Sequence, residues 1–214
     1  MDIQRLFRLL NRRARARRMA RVQALLALDE RTTVLDVGGA LGIWRSVSVR
    51  PKLTILNVTR SNASPEVVEV IGDGRRLPFP DQSFDVVFSN SVIEHVGGIE
   101  DQRLFAQEIM RVGRSFYVQT PNRWFLVEPH VLTPLVHYFP KGIRRRLLRN
   151  FTLWGLITRP SPEYVQGFVD STRLITAREL SEMFPRAELH RERVAGLTKS
   201  LMVVGGGVTG GASA

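Results

Sequence analysis

Five short runs of β-branched and aromatic residues, none near enough to the next for a tight hairpin, restrict this chain to a few architectures. They are Thr33–Val37, Leu53–Val58, Val67–Ile71, Phe84–Ser89 and Ser115–Thr120. Strands so separated pair in parallel through crossovers, because a two-residue turn joins only antiparallel neighbours. The last crossover, Ile99–Val112, carries apolar residues at helical spacing. Two later runs, Glu188–Val194 and Leu197–Val204, flank a short turn and predict an antiparallel strand at the sheet edge. The expected fold class is therefore α/β: a Rossmann-like, doubly wound, mostly parallel seven-stranded sheet.

Segments outside that alternation complete the organisation. Residues 1–28 read as a basic helix with apolar positions Ile3, Phe7, Leu10, Ala14, Met19, Val22 and Leu26. Residues 29–204 form the main domain, and 205–214, "GGGVTGGASA", read as a flexible tail. Within the domain, 121–170 breaks the strand–helix rhythm: it is aromatic, basic and punctuated by prolines, and reads as a helical insertion over the carboxyl edge. Thr176-Ala-Arg-Glu179 is a capping box that opens a helix running to about Phe184.

Charge and cysteine content exclude several classes of chemistry. The chain has no cysteine, so disulfides, thiolate metal sites and thiol nucleophiles are ruled out. Its net charge of +11 is uneven: residues 2–28 carry +7 and 121–160 carry +6, which leaves the rest about −2. The basic character belongs to two attachments rather than to the sheet. No apolar run approaches the ~20 residues that span a bilayer, and arginines interrupt the N-terminal apolar positions. The expected location is cytoplasmic, and two readings of the first helix stay open: peripheral contact with the inner face of an anionic membrane, or packing on the domain as a lid over the cofactor.

The first strand ends in "VLDVGGALGIW", a glycine-rich corner whose register decides its ligand. A phosphate-binding loop needs Gly-Lys-Ser/Thr after the glycines, and none follows. In the dinucleotide fingerprint G-x-G-x-x-G, counted from Gly38, the later glycines would fall on Ala40 and Ile43. What stands here is Asp36-x-Gly38-x-Ala40-x-Gly42. An acid at the strand end can organise the turn and accept from a cationic ligand, whereas it repels a pyrophosphate.

That pattern resembles motif I of the class I S-adenosylmethionine-dependent methyltransferases, usually D-x-G-x-G-x-G. The likeness continues through Leu56-Asn57-Val58, "GDGRRLPFPDQSFDVVFSNSVIEHV" and "RSFYVQTPN", and is similar to the type 11, ubiquinone-methyltransferase-like branch over roughly residues 30–122. The resemblance implies S-adenosyl-L-methionine as cofactor. It implies that Asp36, Gly38, Gly39, Ala40 and Gly42 shape the methionine pocket and that Asn57 faces the ribose hydroxyls. Asp73, with Gly74 beside it, would accept from the adenine amino group, and Ser89 and Asn90 would lie near the sulfonium methyl. Two positions depart from the family. Ala40 replaces a glycine, which is tolerable at negative φ. Asn57 replaces an acid and loses a charge-assisted bond, so Asn57→Asp is expected to hold or tighten binding.

A base is needed only where the acceptor must lose a proton. His95, just past the fourth strand, and His130, in "NRWFLVEPH" after the fifth, are the candidates; Asn122, Arg123 and Glu128 share that second loop. Some relatives hold a divalent metal with Glu-x-x-Glu-His, but Ser91 occupies the first position here, so no metal is expected. The expected activity is methyl transfer to O, C or N of a small, amphiphilic or anionic acceptor by in-line displacement. Three alternatives stay open: a nucleic-acid methyltransferase, disfavoured because Ser89-Asn90-Ser91-Val92 stands where base-modifying enzymes resemble Asn/Asp-Pro-Pro-Tyr/Phe; a non-catalytic cofactor-binding partner protein; and, more distantly, a dehydrogenase.

Overall fold

The computed structural model describes residues 16–60, 67–125, 127–128 and 133–206. The first fifteen residues, His130 and the tail from 207 lie outside them, with whatever the sequence predicts there. Seven strands form one sheet in the order β3-β2-β1-β4-β5-β9-β8. They are β1 (Thr33–Val37), β2 (Lys52–Asn57), β3 (Val68–Ile71), β4 (Phe84–Asn90), β5 (Gly113–Pro121), β8 (Glu188–Val194) and β9 (Leu197–Gly206). β1 to β5 pair in parallel, while β9 runs antiparallel to both β5 and β8, so an antiparallel hairpin finishes that side of the sheet. The predicted fold class holds.

Strand alternation builds two cores. Leu35, Val37, Val87, Phe116, Val118, Leu201 and Val203 point to one face, under α3 (Ile99–Val112) and α7 (Ala177–Met183). Val34, Val86, Phe88, Tyr117 and Met202 point to the other, under α1 (residues 16–25) and the indole of Trp44 on α2 (Leu41–Trp44). On α3, Gln102, Phe105, Ala106, Ile109 and Val112 are the buried positions, the stripe a 3.6-residue period predicts. The capping box of α7 is present: Thr176 Oγ1 accepts from the Glu179 amide at 3.2 Å, and Glu179 accepts from the Thr176 amide at 2.8 Å. On α1, Met19 and Val22 are fully buried, and Leu26 in the turn that follows is nearly so. That half of the predicted amphipathic helix packs on the sheet.

The segment after β5 is mixed rather than purely helical. It opens with a two-stranded antiparallel pair, β6 (Val127–Glu128) with β7 (Thr133–Pro134), and a 3-10 turn, Val136–Tyr138. Then come α4 (Lys141–Asn150), α5 (Leu153–Thr158) and α6 (Pro162–Ser171). Val136, Leu148, Val165 and Val169 give it a small core of its own.

Candidate functional site

The corner after β1 is shaped by contacts that leave no room for side chains. Gly38 has φ +74, and its amide donates to the Leu56 carbonyl at 2.7 Å. A Cβ there would lie 2.5 Å from Val92, and one on Gly39 would run into the Asp36 carboxylate. Ala40 sits at φ −140, extended backbone in which its methyl costs nothing. Gly42, on α2, has open space around it.

Asp36 lies beneath this corner, wholly buried. Its Oδ2 accepts from the Trp44 indole at 2.7 Å, while Oδ1 has no partner among the described residues. Burial pushes its pKa up to about 7, and the indole bond opposes that only in part. The carboxylate lies against Gly39, directly behind the turn that the sequence expected it to organise.

Gly38, Asn57, Asp73, Gly74 and His95 line one cavity of about 250 Å³ at the carboxyl edge, together with Leu56, Arg75, Val92 and Phe105. Five residues expected at the site thus meet in one cleft. Asn57 ends β2, and its amide nitrogen donates to the Gly39 carbonyl at 3.1 Å, which leaves its amide oxygen to serve as an acceptor. The Asp73 carboxylate is gripped by Arg75, with N–O distances of 2.5 to 3.0 Å, and Arg75 reaches on to Asp101 at 2.8 Å. The guanidinium bond holds Asp73 below the usual carboxylate range. Gly74 is required because a Cβ would lie 2.6 Å from the Phe105 ring. Sequence reasoning missed Arg75, although it stands in the quoted "GDGRR".

Ser89 and Asn90 fall elsewhere. Ser89 is fully buried and donates to the Val37 carbonyl at 3.1 Å, tying β4 to β1. Asn90 accepts from Arg18 of α1 at 3.0 Å. The same guanidinium bonds Gln119 on β5 at 3.3 Å and Glu192 on β8 at 2.7 Å. Arg18 therefore anchors the first helix across three strands, a long-range role with no sequence signature.

His95 closes the 3-10 turn Ile93–His95 after β4, and its Nδ1 lies 3.3 Å from the Thr172 hydroxyl. Thr172 also lines a second cavity, of about 510 Å³, with Gly97, Arg123, Lys141, Arg144 and Arg173. His95 and Thr172 thus link the two cavities. Arg123, from the loop that the sequence expected on the substrate side, lines the second one. Asn122 instead bonds the Thr198 carbonyl at 2.9 Å and holds β5 to the β9 hairpin. His137 bonds the Arg123 carbonyl at 3.0 Å. Among the described residues no group of three or more His, Asp or Glu side chains is arranged to hold a metal.

Comparison with known proteins finds a likeness over part of the chain. Residues 27–115 match the type 11 family model described as a methyltransferase domain. A 2-methyl-6-phytyl-1,4-hydroquinone methyltransferase from Synechocystis is 29% identical over 167 residues, which is 72% of this chain. The match takes in 48% of that relative, so the chain spans about half its length. Among solved structures, a chain of a Haloferax volcanii complex with the Trm112 methyltransferase activator aligns with TM-score 0.55 at 16% identity, covering 90% of this chain and 89% of its own. A Pyrococcus horikoshii protein aligns with TM-score 0.52 at 14% identity over 90% and 89%. At such identities these two likenesses establish the fold alone.

Proposed function

We propose, on the premise that this chain carries a class I, type 11 methyltransferase domain, that it transfers a methyl group from S-adenosyl-L-methionine to a small amphiphilic or anionic acceptor. The observation that carries the reading is the 250 Å³ cleft at the carboxyl edge, where a glycine corner, an amide oxygen and a carboxylate converge. Those groups suit the cofactor. The Asn57 oxygen accepts from a hydroxyl, Asp73 keeps acceptor capacity beyond the Arg75 bonds, and the unpartnered oxygen of Asp36 lends negative potential behind the corner to a cationic ligand. When bound, the cofactor supplies an electrophilic methyl on a sulfonium centre.

The chain's own task is then alignment and exclusion of water. The second cavity adjoins through His95 and Thr172, and its arginines and lysine suit an acceptor with an anionic end. His95 is placed to take a proton from the acceptor between the two. Peripheral contact with an anionic membrane belongs to this reading too, as does the division into a basic first helix, a methyltransferase domain and an insertion.

Calorimetry tests the premise: S-adenosyl-L-methionine should bind, and Asp73→Ala, at a side chain that is largely exposed, should weaken binding roughly tenfold while the fold survives in circular dichroism; unchanged binding would overturn the assignment. Once an acceptor is found, His95→Gln should keep cofactor affinity and lose turnover by a factor on the order of 10²–10⁴. Unchanged turnover would leave positioning as the whole mechanism.

A further inference from the structure

The corner between α4 and α5 shows apolar side chains to solvent while being built rigidly. Phe151 is 75% exposed, Leu156 60% and Ile157 53%. These side chains do not hang from a loose loop. The Thr152 hydroxyl, itself buried, donates to the Leu148 carbonyl at 2.6 Å and accepts from the Gly155 amide at 2.9 Å. Gly155 approaches the end of α4 so closely that a Cβ would lie 2.0 Å from the Leu148 carbonyl oxygen. Arg159, at φ +43, then closes α5 by donating to the Gly155 carbonyl at 2.9 Å. The fold has fixed an apolar tip in water, where hiding it in the small insertion core would have been favourable.

Its charge identifies the partner. Between Glu128 and Glu163 the sequence contains no acid, yet it holds Lys141, Arg144, Arg145, Arg146, Arg149 and Arg159. Asp170 pairs with Lys141 at 3.3 Å and Arg145 at 2.8 Å, on the side of α4 that meets α6. Arg146 and Arg149 on α4 and Arg159 at the end of α5 are exposed, with Glu163 at the start of α6 the acid nearest to Arg149. An anionic leaflet offers both the charge that these arginines suit and an acyl boundary for the tip. Among the described residues no helix is long and apolar enough to cross a membrane, so the contact is one of lying on the surface.

We propose that the α4–α5 corner is a docking surface for an anionic lipid bilayer, with Phe151, Leu156 and Ile157 entering the interface and Arg146, Arg149 and Arg159 meeting headgroups. This deepens the membrane contact proposed above by moving it from the first helix to the insertion. It also fits an acceptor drawn from the bilayer, because α4 contributes Lys141 and Arg144 to the second cavity.

The test is co-sedimentation of the full chain with phosphatidylcholine vesicles, with and without phosphatidylglycerol. The unmodified protein should pellet with the anionic vesicles only, and salt should release it. Phe151→Asp with Leu156→Asp should weaken that binding roughly tenfold or more, as should Arg146→Glu with Arg159→Glu. Both variants should keep cofactor affinity by calorimetry, which shows them folded and keeps the methyl-transfer reading separate. If only replacing Arg5, Arg8, Arg12 and Arg13 by Gln releases the protein, membrane contact stands and the corner proposal falls. The corner proposal also falls if the unmodified protein ignores both vesicle types. A dimer in sedimentation velocity that Phe151→Asp dissolves, with no vesicle binding, would give the face to a second copy instead.

Discussion

Two side chains behave differently from what their positions in the motif alone suggest. Asn57 looks like a weakened acid, so restoring Asp looks favourable. With its amide bonded to the Gly39 carbonyl, the same change sets a carboxylate oxygen against a carbonyl oxygen at 3.1 Å. Asn57→Asp should therefore loosen the corner by about 1 kcal/mol and weaken cofactor binding, read by thermal melts and calorimetry. Tighter binding would show that the side chain turns freely. Asp36 carries the second residue-scale prediction. It titrates near 3.8 when unperturbed and near 7 in the fold. Between those values the folded protein holds a proton that the unfolded chain has lost, so Asp36 lowers stability as pH rises through that window. The full deficit, ~4 kcal/mol at most, is present above pH 7. Asp36→Asn keeps an acceptor for the Trp44 indole and removes the ionisation. Urea unfolding at pH 5 and pH 8 should show a smaller loss of stability between the two in the variant, and equal losses would mean that Asp36 is not the group responsible. Neither behaviour was legible in the sequence. The identity of both residues was, but their hydrogen-bond partners depend on how the turn and α2 fold back.

At the scale of elements, the strands were the most legible part. Their β-branched runs are long enough to be distinctive, and the burial of β1 and β4 on both faces follows from parallel pairing in the middle of the sheet. The α3 stripe and the α7 capping box were legible for the same reason: period and cap chemistry are local. The β6–β7 pair was not, since two residues per strand leave no alternation to read. The first helix was half legible. Its apolar stripe predicted an amphipathic face, and Met19, Val22 and Leu26 do pack, but what pins it is Arg18, one arginine among eight in that segment. Arg18→Ala should cost roughly 1–3 kcal/mol, because Glu192 and Asn90 lose a charged partner in a half-buried place. Hydrogen exchange should then accelerate along α1 more than along α3. Uniform acceleration would show that Arg18 serves general stability rather than anchoring that helix.

At the scale of the molecule, the two cavities share one edge of the sheet, as an open α/β sheet dictates for ligands beyond its strand ends. Gly38, Asn57, Asp73, Gly74 and His95 of the first cavity were legible because they sit within motifs, whereas Arg75 and Phe105 beside them were not. The second draws on Gly97, Arg123, Lys141, Arg144 and Arg173, which no single stretch groups together. Topology carries one more consequence. β9, the last strand among the described residues, lies between β5 and β8 and pairs along Ser115–Gly206 to Pro121–Ser200. On a ribosome, β1 to β5 emerge first and are free to assemble, but the outer flank of β5 has no neighbour until Leu197 and the residues after it have left the tunnel. For the whole time that the insertion is being translated, a row of unpaired amides and carbonyls stands open beside Phe116 and Val118. That interval is when the nascent chain is most exposed to pairing with another copy of itself, and it is the moment at which a holding chaperone has the most to protect.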